Sequence, residues 1–268
     1  MFYLRLLGAL AGFVAASVYG LVMSLVRRDG PTAAADYAAM LARLTHRPLG
    51  IRLEIRNAGR LTDTRPCVFI ANHQSLLDVP ILGACYKRGS VIVAKKEIGG
   101  IPFFGWIYRA TGNLLIDRGH TEQAVERLKV AEDAVRARRA AVWILPEGTR
   151  GPGDGLLQPF KKGAFRIAQG TGAPLIPVVI SPLKPDFDLG RKRLRRARVV
   201  VQVLEPIAVD GMGDSEQETV ALMERVHEQM ETALHALGVE LGRLPAGGPF
   251  PTGPRYAPGR SPRLSGSG

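Results

Sequence analysis

Pro66-Cys67-Val68-Phe69-Ile70-Ala71-Asn72-His73-Gln74-Ser75-Leu76-Leu77-Asp78 is the stretch whose reading decides the fold. Its first six residues are an apolar run of buried-strand length, and Val79 to Tyr86 beyond it reads as a short buried helix. His73 stands at the exit of the strand, where a side chain is fixed by its backbone and still faces a cleft. Asp78 follows five positions later. On one continuous helix five residues turn the chain so far that the two side chains would diverge by about 140°. They meet only if His73 lies in the loop and Asp78 in the first helical turn. Ser75 as N-cap and Pro80 early in the helix fit that arrangement. An imidazole held by a carboxylate is a general base of fixed tautomer.

Outward from this stretch the chain alternates between the two periods. Ile51, Leu53 and Ile55 alternate with polar residues, as an exposed or edge strand does. Residues 90–94, 114–116, 141–145, 175–180 and 199–204 read as further strands. Helices are expected over 101–110, 120–139 and 162–169, the second with Glu122 in its first turn and Val125 and Leu128 on its apolar stripe. A last helix opens with a Ser215/Glu218 capping box and stops at Gly238. This alternation is that of an α/β domain, with a mostly buried central sheet flanked by helices. The domain is expected to span residues 49–244.

The two ends differ from it. Leu6 to Val26 is free of charge and long enough as a helix to cover roughly 30 Å, and Arg27-Arg28 close it. Ala15-Ala16-Ser17 is a poor cleavage site, so a retained membrane anchor is the expectation, although Gly8, Gly12 and Gly20 weaken a simple spanning helix. A second, Ala-rich helix from Thr32 to Leu44 is placed to pack back on the first, which makes 1–48 an anchoring segment. Residues 245–268 are rich in Pro, Gly and Ser and are expected to be disordered.

A net charge of +12 calls for an anionic partner. The run Arg191-Lys192-Arg193-Leu194-Arg195-Arg196 has no interleaved aromatic residues to stack bases, so anionic lipid headgroups fit it better than nucleic acid. Cys67 and Cys85 sit in apolar runs and read as buried thiols, and no Cys/His spacing resembles a metal site. Ligands of α/β sheets bind at the carboxyl ends of strands, where Asn72-His73, Arg118 and Glu147 to Arg150 are all expected. An arginine suits a phosphate through paired N–H groups, and Gly148 would let a ligand approach the backbone.

Four ordered blocks carry a resemblance. They are Asn72-His73 with Asp78; Ile101-Pro102-Phe103-Phe104-Gly105 with Gly112-Asn113 and Ile116-Asp117-Arg118; Pro146-Glu147-Gly148-Thr149-Arg150; and Leu175-Ile176-Pro177-Val178. Together they resemble the H-x-x-x-x-D glycerolipid acyltransferases, closely the bacterial 1-acyl-sn-glycerol-3-phosphate acyltransferases. The resemblance covers about residues 66–181. It implies attack by the 2-hydroxyl of a lysophosphatidate on an acyl-CoA or acyl carrier protein thioester at the cytoplasmic face of the inner or plasma membrane, with no cofactor. A relative acting on lyso-ornithine lipid or lysocardiolipin is the alternative acceptor reading.

In that reading His73 is the base and Asp78 orients it, while Arg118 and the Glu147-Gly148-Thr149-Arg150 turn meet the acceptor phosphate with help from Lys96. Asn72 belongs to the same substrate-binding set. Glu147 would accept from the glycerol or orient Arg150. Backbone N–H groups at the helix start after His73 are candidate oxyanion donors. Ser75 as an acyl-carrying nucleophile is the competing reading to its capping role.

Overall fold

The computed structural model describes residues 1–26, 30–63, 65–101, 104–116, 121–138, 140–151, 153 and 155–246. In chain order the elements are α1 (Phe2–Val26), α2 (Gly30–Leu49), β1 (Ile51–Arg56), α3 (Arg60–Asp63), β2 (Cys67–Ala71), α4 (Asp78–Gly83) and β3 (Ser90–Lys95). A 3-10 turn (Lys96–Gly100), α5 (Phe104–Ala110), β4 (Leu114–Ile116), α6 (Thr121–Arg138), β5 (Ala141–Ile144) and α7 (Gly163–Thr171) follow. The chain continues with β6 (Leu175–Ile180), the short pair β7 (Phe187–Asp188) and β8 (Arg193–Leu194), β9 (Ala197–Val203) and α8 (Glu216–Glu240). Arg27-Arg28, Pro102-Phe103, Asp117-Arg118 and the tail from 247 onward lie outside the described residues, as do the side chains of Glu122, Val125 and Leu128.

The α/β expectation holds. Seven strands form one sheet in the order β1-β9-β6-β2-β5-β3-β4. β2 lies parallel between β5 and β6, and β3 runs parallel to β5 and β4. β9 is antiparallel to β6 and carries β1, its parallel partner, at the sheet edge. Five strands therefore deliver their carboxyl ends to one rim, and the loops after β2, β5 and β6 meet there.

β2 is buried along its whole length because helices cover both faces. Val68 and Ile70 enter a core with Phe165 of α7 and Met230 of α8. Cys67, Phe69 and Ala71 enter the opposite core with Ile81 and Leu82 of α4. Each such large side chain contributes about 1.5–3 kcal/mol by leaving water. Phe69 stacks on Trp143 of the neighbouring strand with ring centroids 4.3 Å apart.

The Ser215/Glu218 capping box forms at the start of α8 as expected. The helix does not stop at Gly238, however; it runs on to Glu240. Gly238 is instead a packing site, since a Cβ there would stand 2.4 Å from Leu244 Cδ1. Gly242, at φ 65°, takes the left-handed position that reverses the chain.

α2 does fold back on α1, and the glycines of α1 are where it packs. A Cβ on Gly12 would come 2.7 Å from the Leu44 carbonyl oxygen, and one on Gly20 2.5 Å from the Tyr37 ring. With Gly8 and the buried Ala16 they form a small-residue stripe four residues apart, which lets two helix backbones approach. The opposite face exposes Leu4, Leu7, Leu10, Val14 and Val18. α1 is long and apolar enough to cross a membrane.

The hairpin is joined to the domain through α4. A Cβ on Gly83 would stand 2.7 Å from the Ala38 carbonyl oxygen. Beside it His46 Nε2–H donates to the Pro80 carbonyl at 2.9 Å. Burial holds the His46 imidazole below its ordinary pKa, partly offset by that hydrogen bond.

Candidate active site

His73 and Asp78 meet. His73 lies in the loop after β2 and Asp78 opens α4, and His73 Nδ1–H donates to Asp78 Oδ2 at 2.8 Å. The same oxygen accepts the backbone N–H groups of Gln74 (2.7 Å) and Ser75 (2.8 Å). Three donors on one oxygen fold the loop around the carboxylate and fix the imidazole plane. Asp78 Oδ1 is buried and has no partner among the described residues. The Asp78 side chain is 1% exposed and that of His73 19%, so the accessible part of the pair is the imidazole. With the proton on Nδ1, His73 Nε2 is an acceptor.

Two expectations for this loop are corrected. Ser75 does not cap α4, whose N-cap is Leu77 without a side-chain bond. The Asp78 carboxylate already holds the loop N–H groups, and Ser75 Oγ instead accepts from Leu77 N–H at 3.2 Å. Nor are the N–H groups at the helix start generally available as oxyanion donors. Those of Gln74 and Ser75 go to Asp78, that of Leu77 to Ser75 Oγ, and those of Asp78 and Val79 to the Ser75 and Leu76 carbonyls.

The turn after β5 supplies the second support. Glu147 is buried, and its carboxylate accepts His73 N–H at 2.7 Å on Oε1 and Gln158 N–H at 2.9 Å on Oε2. Each oxygen therefore accepts one backbone donor. Burial pushes the Glu147 carboxyl up to about 7, against these two hydrogen bonds, and the negative Asp78 acts in the same direction as burial. Gly148 turns the chain at φ 71°, a conformation that L side chains resist, and Thr149 and Arg150 emerge exposed beyond it. The Gly151 N–H returns to the His73 carbonyl at 2.7 Å.

Asn72 is buried, and its amide is used within the sheet. Nδ2 donates to the Ile180 carbonyl at 3.0 Å, and Oδ1 accepts Ile180 N–H at 2.7 Å. It clips the end of β2 to the end of β6 rather than facing substrate. Lys96 is exposed on the turn after β3, at the same rim of the sheet. Arg118 lies outside the described residues.

Gln74 is a site residue that the sequence does not reveal. Its Nε2 donates to the carbonyls of Ile180 (3.2 Å) and Ser181 (3.0 Å), and its Oε1 accepts Leu183 N–H at 3.0 Å. The loop carrying His73 is thus bolted to the segment after β6. Both cysteines are buried free thiols, pushed up to about 12 by burial and so unreactive. No group of three His, Cys, Asp or Glu among the described residues is placed to hold a metal.

A cleft of about 390 Å³ opens beside this loop, lined among others by Gln74, Ser75, Arg150, Lys184, Phe187 and Asp188. An imidazole base tied to a carboxylate, beside a cleft with cationic side chains at the rim of a parallel sheet, is built for proton transfer on an anionic substrate. The Acyltransferase family model matches residues 52–181, which span β1 to the end of β6 and give the class.

More closely, the chain is 34% identical over 231 residues to the 1-acyl-sn-glycerol-3-phosphate acyltransferase of Salmonella typhimurium, covering 85% of this chain and 92% of that protein. It is 35% identical to the Escherichia coli K12 protein of the same name over the same shares. The crystal structure of the 1-acyl-sn-glycerophosphate (LPA) acyltransferase PlsC from Thermotoga maritima superposes with a TM-score of 0.68 at 27% identity. It covers 88% of this chain and 98% of that one. The chain belongs to the 1-acyl-sn-glycerol-3-phosphate acyltransferase family.

Proposed function

We propose that the protein transfers a fatty acyl group from an acyl thioester to the 2-hydroxyl of 1-acyl-glycerol-3-phosphate, giving phosphatidate and a free thiol. The observation that carries the chemistry is the 2.8 Å contact of His73 Nδ1 with buried Asp78 Oδ2, which leaves Nε2 as a base. An alcohol is far too weak an acid to ionise at neutral pH, so its proton must leave as it attacks. Nε2 takes that proton while the oxygen adds to the thioester carbonyl. The imidazolium so formed is stabilised by Asp78. Collapse of the tetrahedral adduct expels the thiolate, which recovers the proton from Nε2. No step needs a metal or a redox cofactor.

Arg150 in the cleft, with Arg118 carried over from the resemblance, reads the acceptor phosphate. Lys96 contributes from the neighbouring rim. The donor is acyl-CoA or acyl carrier protein, whose acyl chains share the thioester. The domain sits on anionic lipid at the cytoplasmic face of the inner or plasma membrane, a reading supported by the exposed apolar face of α1 and the basic run from Arg191 to Arg196.

Acceptor ranking tests the substrate class. Lysophosphatidate is expected to exceed lysophosphatidylcholine, whose choline blocks close approach, and monoacylglycerol, which lacks the anion. Hydrogen bonds to charged groups contribute about 1.5–3 kcal/mol, so loss of one lowers kcat/KM roughly 10- to 150-fold. Arg150→Ala should narrow the gap by slowing lysophosphatidate. Equal rates on all three acceptors would remove the phosphate-reading role.

A further inference from the structure

We propose that Lys184 is a second cation reading the acceptor's phosphate, lining the same cleft as Arg150, with Asp188 as the anion that competes with the ligand there. The inference rests on the substrate reading above and names a residue beyond the matched span of 52–181. Lys184 and Asp188 line the same cleft as Gln74, Ser75 and Arg150. Lys184 is exposed, so its ammonium moves on a flexible four-carbon arm.

Its backbone is held firmly. Leu183 N–H, one residue earlier, is bound by Gln74 Oε1 at 3.0 Å, which ties this wall to the loop of His73. From behind, Arg243 grips the same segment, and its side chain is only 3% exposed. Its guanidinium donates to the Pro182 carbonyl (2.7 Å), Ser181 Oγ (3.3 Å), the Arg198 carbonyl (2.7 Å) and Asp186 Oδ2 (2.9 Å). A buried guanidinium with its donors satisfied in this way fixes the geometry of the loop it holds. The wall that carries Lys184 is therefore a built surface.

Asp188 supplies the opposing charge. Its Oδ1 accepts Arg191 N–H at 3.1 Å, and that bond, with the charges of Lys184 and Arg191, holds the carboxyl below its ordinary range. An ionised carboxylate in a cleft for a phosphate monoester repels the ligand and attracts the lysine. Competition of phosphate with the Asp188 charge in this cleft would make the site selective for a strongly anionic headgroup. A singly charged or neutral acceptor does not compete as well.

The test measures kcat/KM of the full chain in detergent micelles for lysophosphatidate and monoacylglycerol, and inhibition by inorganic phosphate. Lys184→Ala should lower the lysophosphatidate value about tenfold, leave monoacylglycerol unchanged and weaken phosphate inhibition. Lys184→Arg should retain most of the preference. Asp188→Asn, which keeps an acceptor for Arg191 N–H, should move lysophosphatidate and phosphate inhibition the opposite way. If Lys184→Ala keeps the wild-type preference and phosphate inhibition, or lowers both acceptors alike, Lys184 is not a reader while the substrate reading stands. Should the wild type itself rank the two acceptors equally, the substrate reading fails and this inference fails with it.

Discussion

Glu147 and Asp78 show how two carboxylates that grip one loop from different elements divide the work. Asp78 gathers a ring N–H and two backbone N–H groups, whereas Glu147 takes only backbone donors from residues far apart in the chain. The His73/Asp78 contact is legible in the sequence because both lie at one strand-to-helix junction, where a spacing of five allows a single arrangement. The roles of Glu147, Asn72 and Gln74 are not. Their partners are backbone groups of distant strands and loops, which no side-chain pattern announces. The raised Glu147 pKa makes a pH prediction. Since the folded value of about 7 lies above the ordinary 4.5, its proton-linked stability is full below about 4.5 and is lost as pH rises through 7. The loss is at most about 3 kcal/mol. Denaturant unfolding from pH 4.5 to 7.5 should show this decline in the wild type and a flatter profile in Glu147→Gln. That variant should also be less stable at pH 5, because its NH₂ faces a backbone donor. An unchanged pH slope in the variant would show that Glu147 does not titrate in this window.

At the scale of elements, small-residue contacts join α1 to α2 and α2 to α4, the helix that Asp78 opens. The alternation of strands and helices was readable because buried parallel strands are continuous apolar runs. In the sequence the glycines of α1 look like weakness in a spanning helix, since a stripe of small residues has meaning only once its partner helix is known. Gly238 looks like a stop for a related reason: its neighbour Leu244 arrives from beyond the helix. β7 and β8 are too short to carry a period, and the basic run read as a lipid contact includes β8 and sets Lys192 Nζ 5.7 Å from the Tyr3 ring centroid. Gly83→Val tests the α2/α4 contact. Its Cβ would stand 2.7 Å from a backbone oxygen, which cannot rotate away. The expected cost is about 1–3 kcal/mol, or roughly 2–10 °C in Tm, with a fall in kcat as α4 shifts Asp78. A Gly83→Val protein with unchanged Tm and turnover would show that the helices separate without consequence.

For the whole molecule, the exposed apolar face of α1 and the +12 charge are the features behind the proposed attachment to an anionic bilayer. Leu7→Glu with Leu10→Glu changes only exposed positions, so the hairpin should stay folded while vesicle co-sedimentation falls sharply. Turnover on detergent-dispersed substrate should fall less than turnover on vesicles. Undiminished co-sedimentation would instead assign attachment to the basic surface. The central claim is that His73, supported by Asp78, removes the acceptor's proton in acyl transfer to lysophosphatidate. Its most direct measurement is steady-state phosphatidate formation by purified wild type, His73→Ala and Asp78→Asn at matched folding by circular dichroism. General base catalysis contributes about 10²–10⁴-fold, so His73→Ala should lose at least that factor, and Asp78→Asn a smaller but clear one. A folded His73→Ala protein that forms phosphatidate at near the wild-type rate would contradict it.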